Sequence, residues 1–131
     1  MSAVAAVIVT LVALLHVYFL VLEMFLWQTP FGMKTFGTTP EIAASSAVLA
    51  ANQGLYNGFL AAGLLWALVS YGVVAGRAIL TFFLLCVLVA GSYGGATANP
   101  RIFFVQAVPA LVALALVWAS RGGGTRSAVE E

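Results

Sequence analysis

Apolar residues in this chain fall into four long runs, roughly 3–27, 50–71, 78–97 and 101–119, parted by short stretches rich in polar residues, glycine or proline. A helix needs about 20 mostly apolar residues to cross a bilayer, and each run is about that long. The first, Ala3 to Trp27, is interrupted only by Thr10, His16 and Glu23. A cleaved signal peptide would need a basic start and a small-residue cleavage site. Met1-Ser2-Ala3 carries no side-chain charge and no such site follows, so the run reads as a span.

The connections carry turn and cap signals. Gln28 to Ser46 is rich in Thr, Gly and Pro, and Pro30 and Gly32 end the first helix. Thr38-Thr39-Pro40-Glu41 then reads as a helix start: Thr39 caps, Pro40 takes the first helical position, and Glu41 suits the positive end of the dipole. A helix running unbroken from there through the second span exceeds the bilayer thickness. Its surplus turns must lie along the interface, stand above it, or tilt. Gly72 to Arg77 joins spans two and three, and Asn99-Pro100-Arg101 repeats the cap-then-proline signal before span four. Arg121 to Glu131, with Gly122-Gly123-Gly124, reads as a loose polar tail. The expectation is an all-α, integral membrane four-helix transmembrane bundle. Residues 1–120 form its single domain, and 121–131 a flexible C-terminal tail.

Composition supports this. The chain of 131 residues is 63% hydrophobic and 7% charged, with a mean hydropathy of +1.11. Soluble domains carry about 25% charged residues, so too few are present here to cover a water-facing surface, and disordered chains are more polar still. Five Lys/Arg against four Asp/Glu make no basic face for nucleic acid. The expected surroundings are the lipid bilayer of the cell (inner) membrane. Four spans put both termini on one side, with Arg77, Arg121 and Arg126, against Lys34 and Arg101 on the other. Positive-inside counting places the termini in the cytoplasm by that margin. Trp27, Tyr71 and Trp118 stand at span ends, as aromatic belts do. Cys86, alone, reads as a small core residue.

Polar residues within the spans gather in one half of the membrane. His16 and Glu23 are seven residues apart on one helix, so they share a face about 10 Å apart along the axis. Span two begins at the same end with Asn52, Gln53, Tyr56 and Asn57, an arc of about 140°. Span three ends there with Ser92, Tyr93 and Thr97, and span four begins there with Gln106. Pro109 withdraws a donor from the Val105 carbonyl beside Gln106, or simply kinks the helix. Polar groups in hydrocarbon are costly unless partnered, so the convergence points to a shared polar cavity or a buried network. Singly, each amide or phenol also fits interhelical glue. The stripe Gly54, Gly58, Ala62 and the patch Gly91-Ser92-Tyr93-Gly94-Gly95 fit close helix packing, or an interface between copies of the chain. One His and one Glu fall short of a metal-ligand set, and no cofactor is implied.

Several blocks resemble a known family. His16-Val17-Tyr18-Phe19, Leu22-Glu23-Met24-Phe25-Leu26-Trp27, Ala50-Ala51-Asn52-Gln53-Gly54-Leu55-Tyr56-Asn57-Gly58-Phe59, Ala90-Gly91-Ser92-Tyr93-Gly94-Gly95 and Phe104-Val105-Gln106-Ala107-Val108-Pro109-Ala110 are similar to those of small bacterial membrane proteins grouped as domain of unknown function 1304. The similarity covers about residues 5–119, and its most specific block is Asn-Gln-Gly-x-Tyr-Asn-Gly. It implies a four-helix membrane protein and no settled activity.

Three functions fit. The first is a polar intramembrane pocket that binds, and chemically converts, a small apolar or lipid-like molecule. Glu23 and His16 would be its acid/base pair, and Asn52, Gln53, Tyr56, Asn57, Tyr93 and Gln106 would orient the ligand. The second is a proton-coupled transporter using Glu23, against which stands the apolar half of the membrane, with no polar lining for a path. The third is an accessory subunit whose polar cluster only sets packing.

Overall fold

The computed structural model describes residues 1–72 and 75–120. The expected tail at 121–131 lies outside them. Among the described residues the chain is all-helical, with five helices and no strand. These are α1 (Ala3–Phe25), α2 (Pro30–Phe36), α3 (Pro40–Val69), α4 (Gly76–Thr97) and α5 (Pro100–Ala119). Three of them, α1, α4 and α5, are long and apolar enough to cross a membrane. The second predicted run lies within α3, whose amides and hydroxyls dilute its hydropathy.

One local device starts three of the helices. Thr29 accepts a hydrogen bond from the Gly32 N–H at 3.1 Å, with Pro30 in the first turn. Thr39 accepts from the Ile42 N–H at 3.3 Å, with Pro40 in the first turn. Asn99 accepts from the Arg101 N–H at 2.9 Å, with Pro100 in the first turn. Each side chain satisfies a donor that the helix itself leaves open, and each proline stands where no N–H is needed. The first of these adds a helix where the sequence pattern gave only a break: Thr29-Pro30 starts α2 as well as ending α1. Gly32 lies against the Leu26 carbonyl, where a Cβ would collide, so the chain folds back directly beneath the end of α1. Gly37, at φ 67°, then ends α2 in the left-handed conformation that glycine adopts without strain.

The α3 helix is unbroken through 30 residues, about 45 Å against a hydrocarbon core of about 30 Å. Its surplus lies at its N-terminal end. Gly54 meets Leu20, Glu23 and Met24, so the turns before Ala50 continue past the end of α1. They are held there by Trp27, whose indole N–H donates to Ser46 Oγ at 3.1 Å and whose ring lies 4.7 Å from that of Phe36.

Helix α1 packs against α3 and α5, and α4 packs against the same two. The common core is Val9, Val12 and Ala13 of α1, Leu64 and Ala67 of α3, Leu80, Leu84 and Val87 of α4, and Ala110, Ala113 and Val117 of α5. Glycines bring the backbones together. A Cβ on Gly63 would collide with the Phe83 ring, and one on Gly91 would lie 2.6 Å from the Ala107 nitrogen. Opposite that contact α5 widens into a π turn over Phe103–Ala107, in which the Val108 N–H bonds to the Phe103 carbonyl five residues back. Pro109 accounts for it. A proline ring clashes with the carbonyl four residues earlier and offers no N–H, and one extra residue in the preceding turn moves the Val105 carbonyl aside. The glycine stripe and patch thus serve packing within the chain: Gly54 and Gly58 face α1, while Gly91, Gly94 and Gly95 face α5.

Candidate functional site

The site is built on the seam between α1 and α3. Gly54 makes it possible. Its missing Cβ would lie 2.7 Å from Met24 Cγ, 3.1 Å from Glu23 Cβ and 3.1 Å from the Leu20 carbonyl, so the helices approach closely there. One turn along α3, Asn57 is then within reach of α1. Its side-chain amide donates to Glu23 Oε2 at 2.7 Å. Both residues are half-buried. This bond ties α1 to α3 side chain to side chain. A carboxylate oxygen and an amide N–H at that distance form a strong contact, stronger still away from water.

His16 lies two turns deeper on the same face of α1. It is 1% exposed, and it is the only polar or charged side chain among the described residues that is buried. Its Nδ1 stands 2.8 Å from the Val12 carbonyl oxygen, and its ring meets Phe19 edge-on at 6.1 Å. Its Nε2 is buried with no hydrogen-bond partner. Between the two levels, Leu20 Cδ1 occupies the space left by Gly58, 2.5 Å from where a Cβ would be.

The other predicted site residues are placed differently. Asn52 is exposed and its amide donates to the Val48 carbonyl of its own helix at 3.0 Å. Gln53 and Tyr56 are exposed on the flank of α3, and Tyr93, 71% exposed, on the outer side of α4. Gln106 is half-buried at the π turn, its Cβ against Gly91. The structure joins Glu23 to Asn57, stacks His16 below them, sets Gln106 on the α4–α5 seam, and turns the remaining four outward. The alternation that separates Asn57 from Asn52, Gln53 and Tyr56 is the helical 100° step, legible in the sequence only once the face toward α1 is known.

Two features lie outside the polar pattern of the sequence: Leu20, which divides the two levels, and the Trp27–Ser46–Phe36 lock above them. The signal for the lock was the cap pattern Thr29-Pro30, which places a helix and so its Phe36 under Trp27. Among the described residues, no three His, Cys, Asp or Glu side chains stand close enough together to hold a metal ion.

The profile of a family described as protein of unknown function (DUF1304) matches residues 10–118. An uncharacterized protein, YpaA, of Lactococcus lactis subsp. lactis (strain IL1403) is 30% identical over 116 residues, covering 87% of this chain and 96% of the relative. No solved structure matches.

Proposed function

The chain belongs to the DUF1304 family, whose function is unknown, and we propose that it binds a small apolar or lipid-like molecule inside the membrane, at the Glu23–Asn57 pair. In this reading α3 is the fourth span, its residues from about Ala50 to Val69 crossing with α1, α4 and α5 as a four-helix bundle in the cell membrane. Burial of Ala61, Gly63, Leu64 and Ala67 against the neighbouring helices supports that placement. So does the energetic cost of leaving Asn57 and Glu23 without each other in hydrocarbon.

The observation that carries the reading is the 2.7 Å hydrogen bond from Asn57 to Glu23 Oε2. The bond engages one carboxyl oxygen and fixes the side chain's orientation. The second oxygen is left to a ligand's polar head. Approach is from the flank of α3, where Asn52, Gln53 and Tyr56 are exposed beside the pair. A carboxyl so held takes or gives a proton at a bound molecule, the step that acid/base conversion of such a molecule needs. The site therefore opens sideways to lipid instead of enclosing its ligand.

The test is native mass spectrometry of the full chain released from nanodiscs made with total bacterial lipid. A bound small amphiphile should accompany the wild type and be lost from Glu23→Gln and Asn57→Ala, with both variants still folded. An identical bound profile in all three, or none in the wild type, would overturn the reading.

A further inference from the structure

At the opposite end of the bundle from Glu23, Gly76 lies against the Ser70 carbonyl, and a Cβ there would be 2.7 Å from Tyr71 Cα. The first turn of α4 is therefore pressed onto the end of α3, and Arg77 comes beside Tyr71. The Tyr71 ring packs against the common core, which makes it a fixed platform. The Arg77 Nε–H donates to the Tyr71 hydroxyl at 3.1 Å, and the guanidinium carbon lies 5.7 Å from the ring centroid. The same turn is tied to α5. The Thr81 hydroxyl donates to the Arg77 carbonyl at 2.8 Å and accepts from the Trp118 indole N–H at 3.2 Å.

Both groups keep donors in reserve. The bond to Tyr71 engages Nε alone, so the N–H groups on the Nη atoms remain. The Tyr71 oxygen accepts that bond, so its own hydrogen is still there to donate. No carboxylate answers them among the described residues, whose acids are Glu23 and Glu41, both at the other end. The donors are also within reach. Arg77 and Tyr71 are half-buried, and beside them Gly72 has nothing within 4 Å of where a Cβ would sit. A ligand can approach from outside, and no enclosed cavity is needed.

The chemistry and the level narrow what that ligand is. A half-buried guanidinium without a counter-charge is completed by an anion, and its planar fork matches the oxygens of a phosphate. Arg77 stands in the first turn of α4 and Trp118 in the last turn of α5, both long and apolar enough to cross a membrane. An arginine and an indole at such helix ends lie at the depth of lipid headgroups. A zwitterionic headgroup would bring an ammonium as well, and the described residues offer no carboxylate here to receive it. An anionic headgroup brings its phosphate without that cation.

We infer that Arg77 and Tyr71 form a site for the phosphate of an anionic phospholipid. The Nη N–H groups and the Tyr71 O–H donate to its oxygens, and the acyl chains remain in the bilayer. This site does not depend on whether the Glu23–Asn57 pair holds a ligand.

The experiment uses the full chain in a non-ionic detergent, freed of co-purifying lipid. Short-chain phosphatidylglycerol is the probe, with short-chain phosphatidylethanolamine and inorganic phosphate as controls at matched ionic strength. Thermal stabilisation of the wild type should favour phosphatidylglycerol over phosphatidylethanolamine, and inorganic phosphate should leave the midpoint in place. Arg77→Ala should lower the apparent affinity for phosphatidylglycerol by about tenfold, the worth of a charge-assisted hydrogen bond, and abolish the preference. Tyr71→Phe keeps the ring and should lower it by about fivefold. Arg101→Ala removes a charge at the other end and should change neither. Each variant is compared between lipids, so a general loss of stability does not imitate a loss of preference.

Equal stabilisation of the wild type by the two lipids would overturn the inference. So would an Arg101→Ala loss as large as that of Arg77→Ala, which would mean diffuse attraction to charge. Inorganic phosphate that stabilises as well as phosphatidylglycerol would replace the lipid with a soluble anion. Wild-type binding of phosphatidylglycerol in both Arg77→Ala and Tyr71→Phe would mean that water alone satisfies these donors.

Discussion

Glu23 and Asn57 show how little at the level of single residues holds this site in place. The carboxyl accepts from one amide at 2.7 Å, and removing the amide leaves an acceptor without its partner in a half-buried seam. Asn57→Ala should therefore destabilise the protein by about 1–3 kcal/mol, read as a lower thermal midpoint in detergent. Glu23→Gln keeps an acceptor for the same N–H and should cost less. Replacing both, Glu23→Leu with Asn57→Leu, should cost less than Asn57→Ala alone, because no polar atom is then stranded. At the water-exposed start of α3, Glu41 is held below the usual carboxylate range, first by its own backbone N–H and then by the Thr39 side chain. A depressed value in the folded state means that this cap contributes above the unfolded carboxylate value and is lost as pH falls through the folded one. Amide exchange at Ile42 and Ala43, corrected for its intrinsic pH dependence, should speed up on acidification in the wild type and not in Glu41→Gln.

Between elements, glycine decides the spacing and proline the register. Gly91 lets the Ala107 nitrogen come within 2.6 Å of where a Cβ would sit, and backbone cannot turn aside as a side chain can. Gly91→Ala should push α4 from α5 and destabilise by about 1–3 kcal/mol, whereas Gly72→Ala, with nothing within 4 Å, should be near neutral in the same melt. Thr39-Pro40 and Asn99-Pro100 were readable as helix starts from sequence because a cap is local chemistry. The same pattern at Thr29-Pro30 is equally local, but a proline after an apolar run also marks a helix stop, and only the fold shows that here it begins α2 as well. The π turn at Phe103–Ala107 was not readable. Pro109 marks a disturbance, but whether the helix kinks or widens depends on what packs opposite, here Gly91.

At the scale of the molecule, one unequal length sets the architecture. The α3 helix outruns α1 at the end that carries the polar residues, and α2 with Trp27 braces the surplus. If α3 crosses the membrane with the other three, single cysteines placed at Ser45 and Ala98, with Cys86→Ser as background, should react with an impermeant maleimide from one side. A cysteine at Ser120 should react only from the other. Labelling of Ser45 and Ser120 from the same side would show that α3 does not cross. The exposed apolar residues of α1, α4 and α5 need no further explanation in such an arrangement, since they face lipid.

Sequence alone determined what depends on composition and local chemistry: a helical chain with runs long and apolar enough to cross a membrane, and the caps that begin α3 and α5. It also marked Glu23 and His16, because ionisable groups are rare in such runs. Only the tertiary structure decided which of the polar residues meet. Asn52, Gln53, Tyr56 and Asn57 are equivalent as letters on a helix, and the approach of α3 to α1 at Gly54 selects Asn57 for Glu23 and turns the others out. It likewise decided that His16 presents a bare Nε2. A tautomer is set by the atom beside the ring, and burial by helices distant in the chain, and neither is a property of the residue itself.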